Sequence, residues 1–144
     1  MYDKKLKKSI AFGELEIIES LDWSPDSRRL AFVGTGSGQS DIYFVEMGSG
    51  ELTQVTGTPQ REDHPAWSPD GSQLAFSAKY RGQFDIRVHE LKSGRTRPLI
   101  TSPTDDLWPQ WLPEGNKILF VSTRKRINDL FVYHLETGEE FRLT

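Results

Sequence analysis

The chain has 144 residues, with 18 Lys and Arg against 21 Asp and Glu, and a formal net charge of -3. A chain with this balance of charges does not offer the concentrated basic face that binds nucleic acid. Its longest apolar runs are well below the roughly 18 residues that span a bilayer. The chain has no cysteine, which excludes disulfides and thiolate metal sites.

The first nineteen residues are a predicted N-terminal extension. Residues 1–8 are basic but lead into an acidic stretch, 14–19, rather than the apolar segment of a signal peptide. We therefore expect either a cytoplasmic chain or one whose targeting segment has been removed. One extra strand is predicted from Leu6 to Phe12, because these residues align with the outermost strand of a unit whose other strands are absent.

A period of 44 residues runs through the rest of the chain. It relates three tryptophans, and five further columns keep the same step. Three of the six columns are Trp23, Trp67 and Trp111; Phe32, Phe76 and Phe120; and Asp41, Asp85 and Asp129. A period of about 40–45 residues with four strand-like segments per unit is typical of β-propeller blades.

One unit shows the predicted elements in chain order. Segment 64–67 is a short extended run, and the Ser-Pro-Asp-Gly turn at 68–71 follows it, since Pro fixes φ and Gly tolerates a positive φ. Segments 73–77, 85–91 and 97–101 are the next three strands. The third strands carry apolar residues on both faces, which indicates packing on both sides of each sheet.

Several of these motifs carry a family resemblance. Trp-Ser-Pro-Asp-Gly at 67–71, Leu-Ala-Phe-Ser at 74–77, Asp-Ile at 85–86 and a closing Leu-Thr resemble the TolB-like repeat, a relative of the WD repeat. The third unit departs from this pattern at Leu112 and Glu114, which replace Ser and Asp.

The resemblance covers residues 20–144 and implies an all-β fold. We expect three four-stranded antiparallel propeller blades, at 20–63, 64–107 and 108–144. The same repeat occurs in periplasmic binding propellers and in propellers that gate serine peptidases, so it implies a fold and not a function. A periplasmic location is implied if a signal peptide was removed.

Three blades make an open arc with an apolar face at each end, whereas propellers close with about four to eight blades. A second copy would complete a six-bladed ring around a two-fold axis, so we expect a homodimer. Two alternatives stay open. The chain could be a fragment of a larger propeller-containing hydrolase or lyase, or an engineered or minimal half-propeller with no ligand.

The chain offers little catalytic chemistry. The Gly-rich loop at 34–38 lacks the helix and lysine of a phosphate-binding loop, and the three histidines fall in three different repeat columns. A Gly-x-Ser-x-Gly elbow is absent. The repeated Asp and Trp columns indicate structural roles. We therefore predict no enzyme activity, no catalytic residue, no cofactor and no metal.

The remaining candidate surface is a set of charged loops with one aromatic residue, predicted to open onto one face of the propeller. Variable charged loops on a rigid scaffold are where binding usually occurs. We expect a non-enzymatic scaffold that binds a protein or peptide there. The predicted partner-binding residues are Arg61, Glu62, Asp63, His64, Lys79, Arg81, Asp105, Asp106, Trp108, Arg124, Lys125 and Arg126.

Overall fold

The computed structural model describes residues 12–144. Apart from Phe12, the extra strand predicted from Leu6 to Phe12 lies outside the described residues. All regular secondary structure from residue 12 onward is β-strand. Within that range, no helix is long and apolar enough to cross a membrane.

Twelve strands form three antiparallel sheets of four. Blade 1 contains β1 (Ile17–Trp23), β2 (Arg29–Gly36), β3 (Gln39–Glu46) and β4 (Leu52–Gln54); blade 2 contains β5 (Glu62–Trp67), β6 (Gln73–Tyr80), β7 (Gln83–Glu90) and β8 (Arg95–Ile100); blade 3 contains β9 (Asp106–Trp111), β10 (Lys117–Ser122), β11 (Asp129–His134) and β12 (Glu140–Arg142). Each sheet runs in sequence order from the innermost strand outward. The predicted all-β fold of three four-stranded blades is confirmed, whereas the unit boundaries at residues 64 and 108 stay a prediction.

The turn between the first two strands of a blade is fixed by its own side chains. In blade 2, Asp70 Oδ1 accepts hydrogen bonds from Ser68 Oγ (2.7 Å) and from the backbone N–H of Ser72 (3.0 Å). Ser68 Oγ in turn accepts from the backbone N–H of Gln73 (3.0 Å). Gly71 supplies the positive φ, 73°, that completes the turn.

The core lies between the blades. At the first junction, Trp67 packs edge-on against Phe44 of blade 1, with ring centroids 5.8 Å apart. Phe76 of blade 2 is fully buried in the same cluster, which also contains Ala31 and Ile42 of blade 1. Each sheet is therefore covered on the flank that faces a neighbour, which accounts for the apolar residues on both faces of the third strands.

The outer flank of blade 1 is partly covered by the chain that precedes β1. The ring of Phe12 lies 5.1 Å from that of Phe32, and Leu15 is close to the backbone at Gly34 and to Tyr43. Farther from this segment, Trp23 is 50% exposed, although Trp67 in the next blade is only 5% exposed.

The outer flank of blade 3 is also open. Leu130 is 36% exposed, while Ile42 and Ile86, which occupy the same repeat position in blades 1 and 2, are fully buried. Leu143 is exposed as well. Within residues 12–144, the outer flanks of blades 1 and 3 thus expose apolar side chains whose repeat equivalents are buried at the internal junctions.

Candidate functional site

Each innermost strand carries a bulge near its start, where its pairing with the second strand shifts register. Ser20, His64 and Trp108 occupy the same repeat position there, and all have a positive φ, 56°, 52° and 55°. This left-handed conformation is uncommon for residues other than glycine, and bulges often redirect side chains beside binding sites. His64 and Trp108 were predicted site residues. Ser20 was missed, although the 44-residue step from His64 identifies it.

Asp63 connects two of these bulges. Its Oδ1 atom accepts hydrogen bonds from Ser20 Oγ (3.1 Å), across the first blade junction, and from the backbone N–H of His64 (3.0 Å). Arg61 Nη2 lies 3.2 Å from Asp63 Oδ2. The Asp63 carboxylate is therefore a buried anchor for this part of the face.

The environment of Asp63 favours its charged form. Burial raises the pKa of the carboxyl, but the contact with His64 and the hydrogen bond from Ser20, together with the charge of Arg61, outweigh burial and hold the pKa below its ordinary value. The Nδ1 atom of His64 lies 3.1 Å from Asp63 Oδ1, at ion-pair distance but outside hydrogen-bonding alignment.

His64 and Trp108 form an aromatic pair across the second junction. Their rings meet edge to face, with centroids 5.6 Å apart, and Trp108 is 42% exposed. The backbone N–H of Trp108 donates to the buried Ser77 Oγ of blade 2 (3.1 Å). The pair is thus held in place from below and open to solvent above.

The carboxylate pairs of the predicted site separate into different roles. Glu62 and Asp106 are the first residues of β5 and β9, and both are buried. Burial raises the pKa of Glu62, and its Oε1 atom accepts a hydrogen bond from Thr58 (2.9 Å). Asp105 Oδ1 accepts from the backbone N–H of Phe84 (2.9 Å), which ties the loop that enters blade 3 to blade 2.

Arg124 is held among blade 3 side chains. Its guanidinium contacts both Asp106 oxygens at 3.4 Å, forms an ion pair with Glu140, and lies over the rings of Phe120 and Phe131. Only 24% of its side chain is exposed. Contact with Glu140, partly opposed by burial and reinforced by Asp106, raises the pKa of Arg124.

The other predicted basic residues are exposed. Lys79 Nζ lies 5.9 Å from the ring centroid of Phe84, and Arg81 lies 5.2 Å from that of Tyr80. Lys125 and Arg126 occupy the corresponding loop of blade 3. These loops lie at the same end of the blades as the bulges. The reason is that β2, β6 and β10 each run from the turn after the first strand toward the end that carries the bulge.

The repeated aspartates have local partners of different kinds. Asp41 accepts from Gln54 (3.3 Å), and Asp129 accepts from Arg142 (2.9 Å), which occupies the same repeat position as Gln54. Pro98 holds that position in blade 2 and has no side-chain donor for Asp85. Within residues 12–144, one buried oxygen of Asp85 and one of Asp129 have no hydrogen-bond partner. In the described part of the chain, no three His, Asp or Glu side chains cluster closely enough to hold a metal ion.

Comparison with known proteins places this geometry in a family. The profile of the TolB beta propeller domain matches residues 4–144. No protein of curated function matches the chain.

Solved structures agree with the family match. TolB from Acinetobacter baumannii is 26% identical with a TM-score of 0.83, and the match covers 89% of this chain and 32% of that one. A putative TolB from Agrobacterium tumefaciens is 24% identical, also with a TM-score of 0.83, and the match covers 92% of this chain and 50% of that one. A puromycin hydrolase shares the fold at 15% identity and a TM-score of 0.74, with 90% and 22% covered.

The chain thus spans half or less of each of these structures. Its three repeated blades and the profile match over residues 4–144 show that the chain belongs to the TolB β-propeller family.

Proposed function

We propose that this chain is a non-enzymatic propeller scaffold that binds a protein or peptide at the bulge end of its blades. The observation that carries the proposal is the half-open pair of His64 and Trp108 above the buried Asp63 anchor. Rigid, partly exposed aromatic rings contribute contact area at low entropic cost, and Trp is enriched among residues that dominate binding energy.

The basic side chains around the His64–Trp108 pair favour a peptide ligand over a small inorganic ion. Arg61, Lys79 and Arg81 are exposed on the blade 1 and blade 2 side, and Lys125 and Arg126 on the blade 3 side. A peptide can place an apolar side chain against the two aromatic rings and its carboxylates beside these Lys and Arg side chains. Arg124 and Asp106 support the surface from beneath, because their contacts are made inside blade 3.

A displayed random-peptide library selected on the immobilised chain tests this site. We expect the selected peptides to lose at least tenfold in affinity for Trp108→Ala and His64→Ala, since truncation of a central aromatic residue commonly costs about 2 kcal/mol or more. Arg97→Ala, at an exposed position on the outermost strand of blade 2, is the control and should leave affinity unchanged. Peptides that bind all four proteins equally would refute the proposed site.

The second element of the proposal is a homodimer that forms a six-bladed ring. The two open flanks support it, because they carry the repeat equivalents of side chains that pack against each other at the internal junctions. Trp23 corresponds to Trp67, and Leu130 corresponds to Ile42 and Ile86. Exposed apolar patches of this kind favour association, and a two-fold axis would place each blade 1 against blade 3 of the other copy.

The mass of the chain in solution tests the ring. The homodimer predicts twice the 16.5 kDa of one chain, with sedimentation that depends on protein concentration. A folded monomer at all concentrations would refute the homodimer and would favour further blades of a longer chain as the cover for the flanks.

A further inference from the structure

We propose that the two copies select each other's ends by charge, with Glu16 of one copy facing Lys125 and Arg126 of the other. This inference rests on the proposed homodimer and deepens it. It concerns the bulge end of the closing junctions, where the loop of blade 3 would meet the segment that leads into blade 1.

The first internal junction supplies the geometry. The loop at 37–40 of blade 1 and the segment 59–61 that leads into blade 2 line one shared cavity of about 440 Å³. The two sides are also joined by a hydrogen bond from Gln39 Nε2 to the backbone oxygen of Thr58. The loop of one blade therefore meets the segment entering the next.

The second internal junction repeats this relationship. Gln83, one period after Gln39, donates to the backbone oxygen of Ser102, one period after Thr58. The contact between the loop of one blade and the segment that enters the next blade therefore recurs at both internal junctions. We apply the same placement of the loop to the closing junction, where Lys125 and Arg126 correspond to Ser37 and Gly38. Ile127 stands at the position of Gln39 and Gln83, so the closing junction keeps the placement of the loop but not this hydrogen bond.

The facing position on the other side is Glu16, which corresponds to Gln60 and Thr104. The first junction thus sets Ser37 and Gly38 against Gln60, and the second sets Arg81 and Gly82 against Thr104. Neither internal pairing brings opposite charges together at these positions. The closing junction does, with two cations facing one carboxylate.

The three charged side chains are accessible to a second copy. Glu16, Lys125 and Arg126 are all exposed, and no ion pair involves any of them within residues 12–144. A two-fold ring contains the junction twice, so each exposed pair, worth only up to about 1 kcal/mol by itself, acts twice in one assembly.

Closure also requires a change at Phe12. Its ring lies against that of Phe32, whereas the corresponding Phe76 belongs to one buried cluster with Ala31, Val33 and Ile42 of the preceding blade. In the ring, the partner's blade 3 would supply this cover through Leu130 and its neighbours. Phe12 is therefore exchanged for an intermolecular contact when the junction closes.

A charge exchange tests the inference on the full chain. Glu16→Lys alone sets three cations together at both closing junctions, and Lys125→Glu with Arg126→Glu sets three carboxylates together. We expect each variant to dimerise on the order of tenfold or more weakly than the wild type at low salt. In an equimolar mixture, both junctions regain opposite charges, so a heterodimer of the two variants should form with affinity near that of the wild type.

Analytical ultracentrifugation of the variants, separately and mixed, measures this at 0.05 M and 1 M NaCl. The difference between variants and wild type should shrink at 1 M, because the Debye length falls to about 3 Å. Glu51→Lys and the pair Lys92→Glu with Arg95→Glu carry matched charge changes at exposed positions away from this junction, and should dimerise as the wild type does. Circular dichroism establishes that each variant is folded.

The outcomes separate the two proposals. If the wild type is a monomer, the homodimer itself is refuted. If the wild type dimerises but the charge variants dimerise equally well, or if the mixed variants do not recover, the homodimer stands and the charge selection is overturned.

Discussion

Asp22 of blade 1 reaches across the first junction and accepts a hydrogen bond from the backbone N–H of Trp67, with its Oδ2 atom 2.7 Å from the nitrogen. The second junction is joined differently, because Ala66 holds the position of Asp22. There the indole Nε1 of Trp111 donates to the backbone oxygen of Ala66 (3.1 Å).

Asp22→Ala should lower the free energy of unfolding by about 1–3 kcal/mol, since it leaves a buried backbone donor without a partner. Asp22→Asn keeps an acceptor oxygen and should retain most of the stability. Urea denaturation followed by tryptophan fluorescence measures both variants. Equal stability of Asp22→Ala and the wild type would show that water or another group satisfies the Trp67 N–H.

Trp67→Ala should destabilise the chain by about 3–5 kcal/mol, because it removes a buried ring from the first junction. Trp23→Ala is the matched variant, with the same substitution one period earlier on an open flank. At low protein concentration its effect should be well under half that of Trp67→Ala. If Trp23 closes a junction with a second copy, its effect should increase with protein concentration.

Arg124→Ala should cost about 3–5 kcal/mol in the free energy of unfolding, since it leaves the fully buried Asp106 without its cation. Lys125→Ala removes the same charge one residue later, at an exposed position, and should change stability by less than about 0.5 kcal/mol. Thermal unfolding of the two variants at a concentration where the chain is monomeric makes the comparison. Similar melting temperatures would contradict the structural role of Arg124.

Glu62→Gln should stabilise the chain at neutral pH. Burial raises the pKa of Glu62 above its ordinary value of 4.5, so the folded chain holds this proton more tightly than the unfolded chain. The resulting stabilisation is fully present below pH 4.5 and is lost as the pH rises through the raised pKa. A glutamine side chain stays neutral at every pH, so the stability of the variant relative to the wild type should increase as the pH rises.

The measurement for Glu62 is the free energy of unfolding from pH 3 to pH 8. The stability difference between Glu62→Gln and the wild type should be smallest at the acid end and largest near neutrality. Glu51→Gln, at an exposed position, is the control and should track the wild type within about 0.5 kcal/mol. A constant offset between Glu62→Gln and the wild type at all pH values would contradict the argument.

The strands and turns of the blades could be predicted from the sequence because their determinants are local. Pro followed by an acidic residue specifies the turn after each first strand, with Gly next in blades 2 and 3 and Ser27 in blade 1. Trp67 and Phe76 recur with the period of one blade. The placement of the candidate site residues at one end of the blades was also predictable, because the loops at that end follow from the strand order. His64 and Trp108 could be named as neighbours of one face, but their edge-to-face contact could not.

The tertiary structure decided what each of these residues does. Glu62 and Asp106 resemble loop charges in the sequence, yet the neighbouring blades bury them. Arg124 and Lys125 are adjacent cations, but within residues 12–144 only Arg124 has a carboxylate and two rings beside it. Trp23 and Trp67 share one motif and differ tenfold in exposure. Burial depends on which sheet lies alongside, and that is a property of the assembled blades that no local pattern encodes.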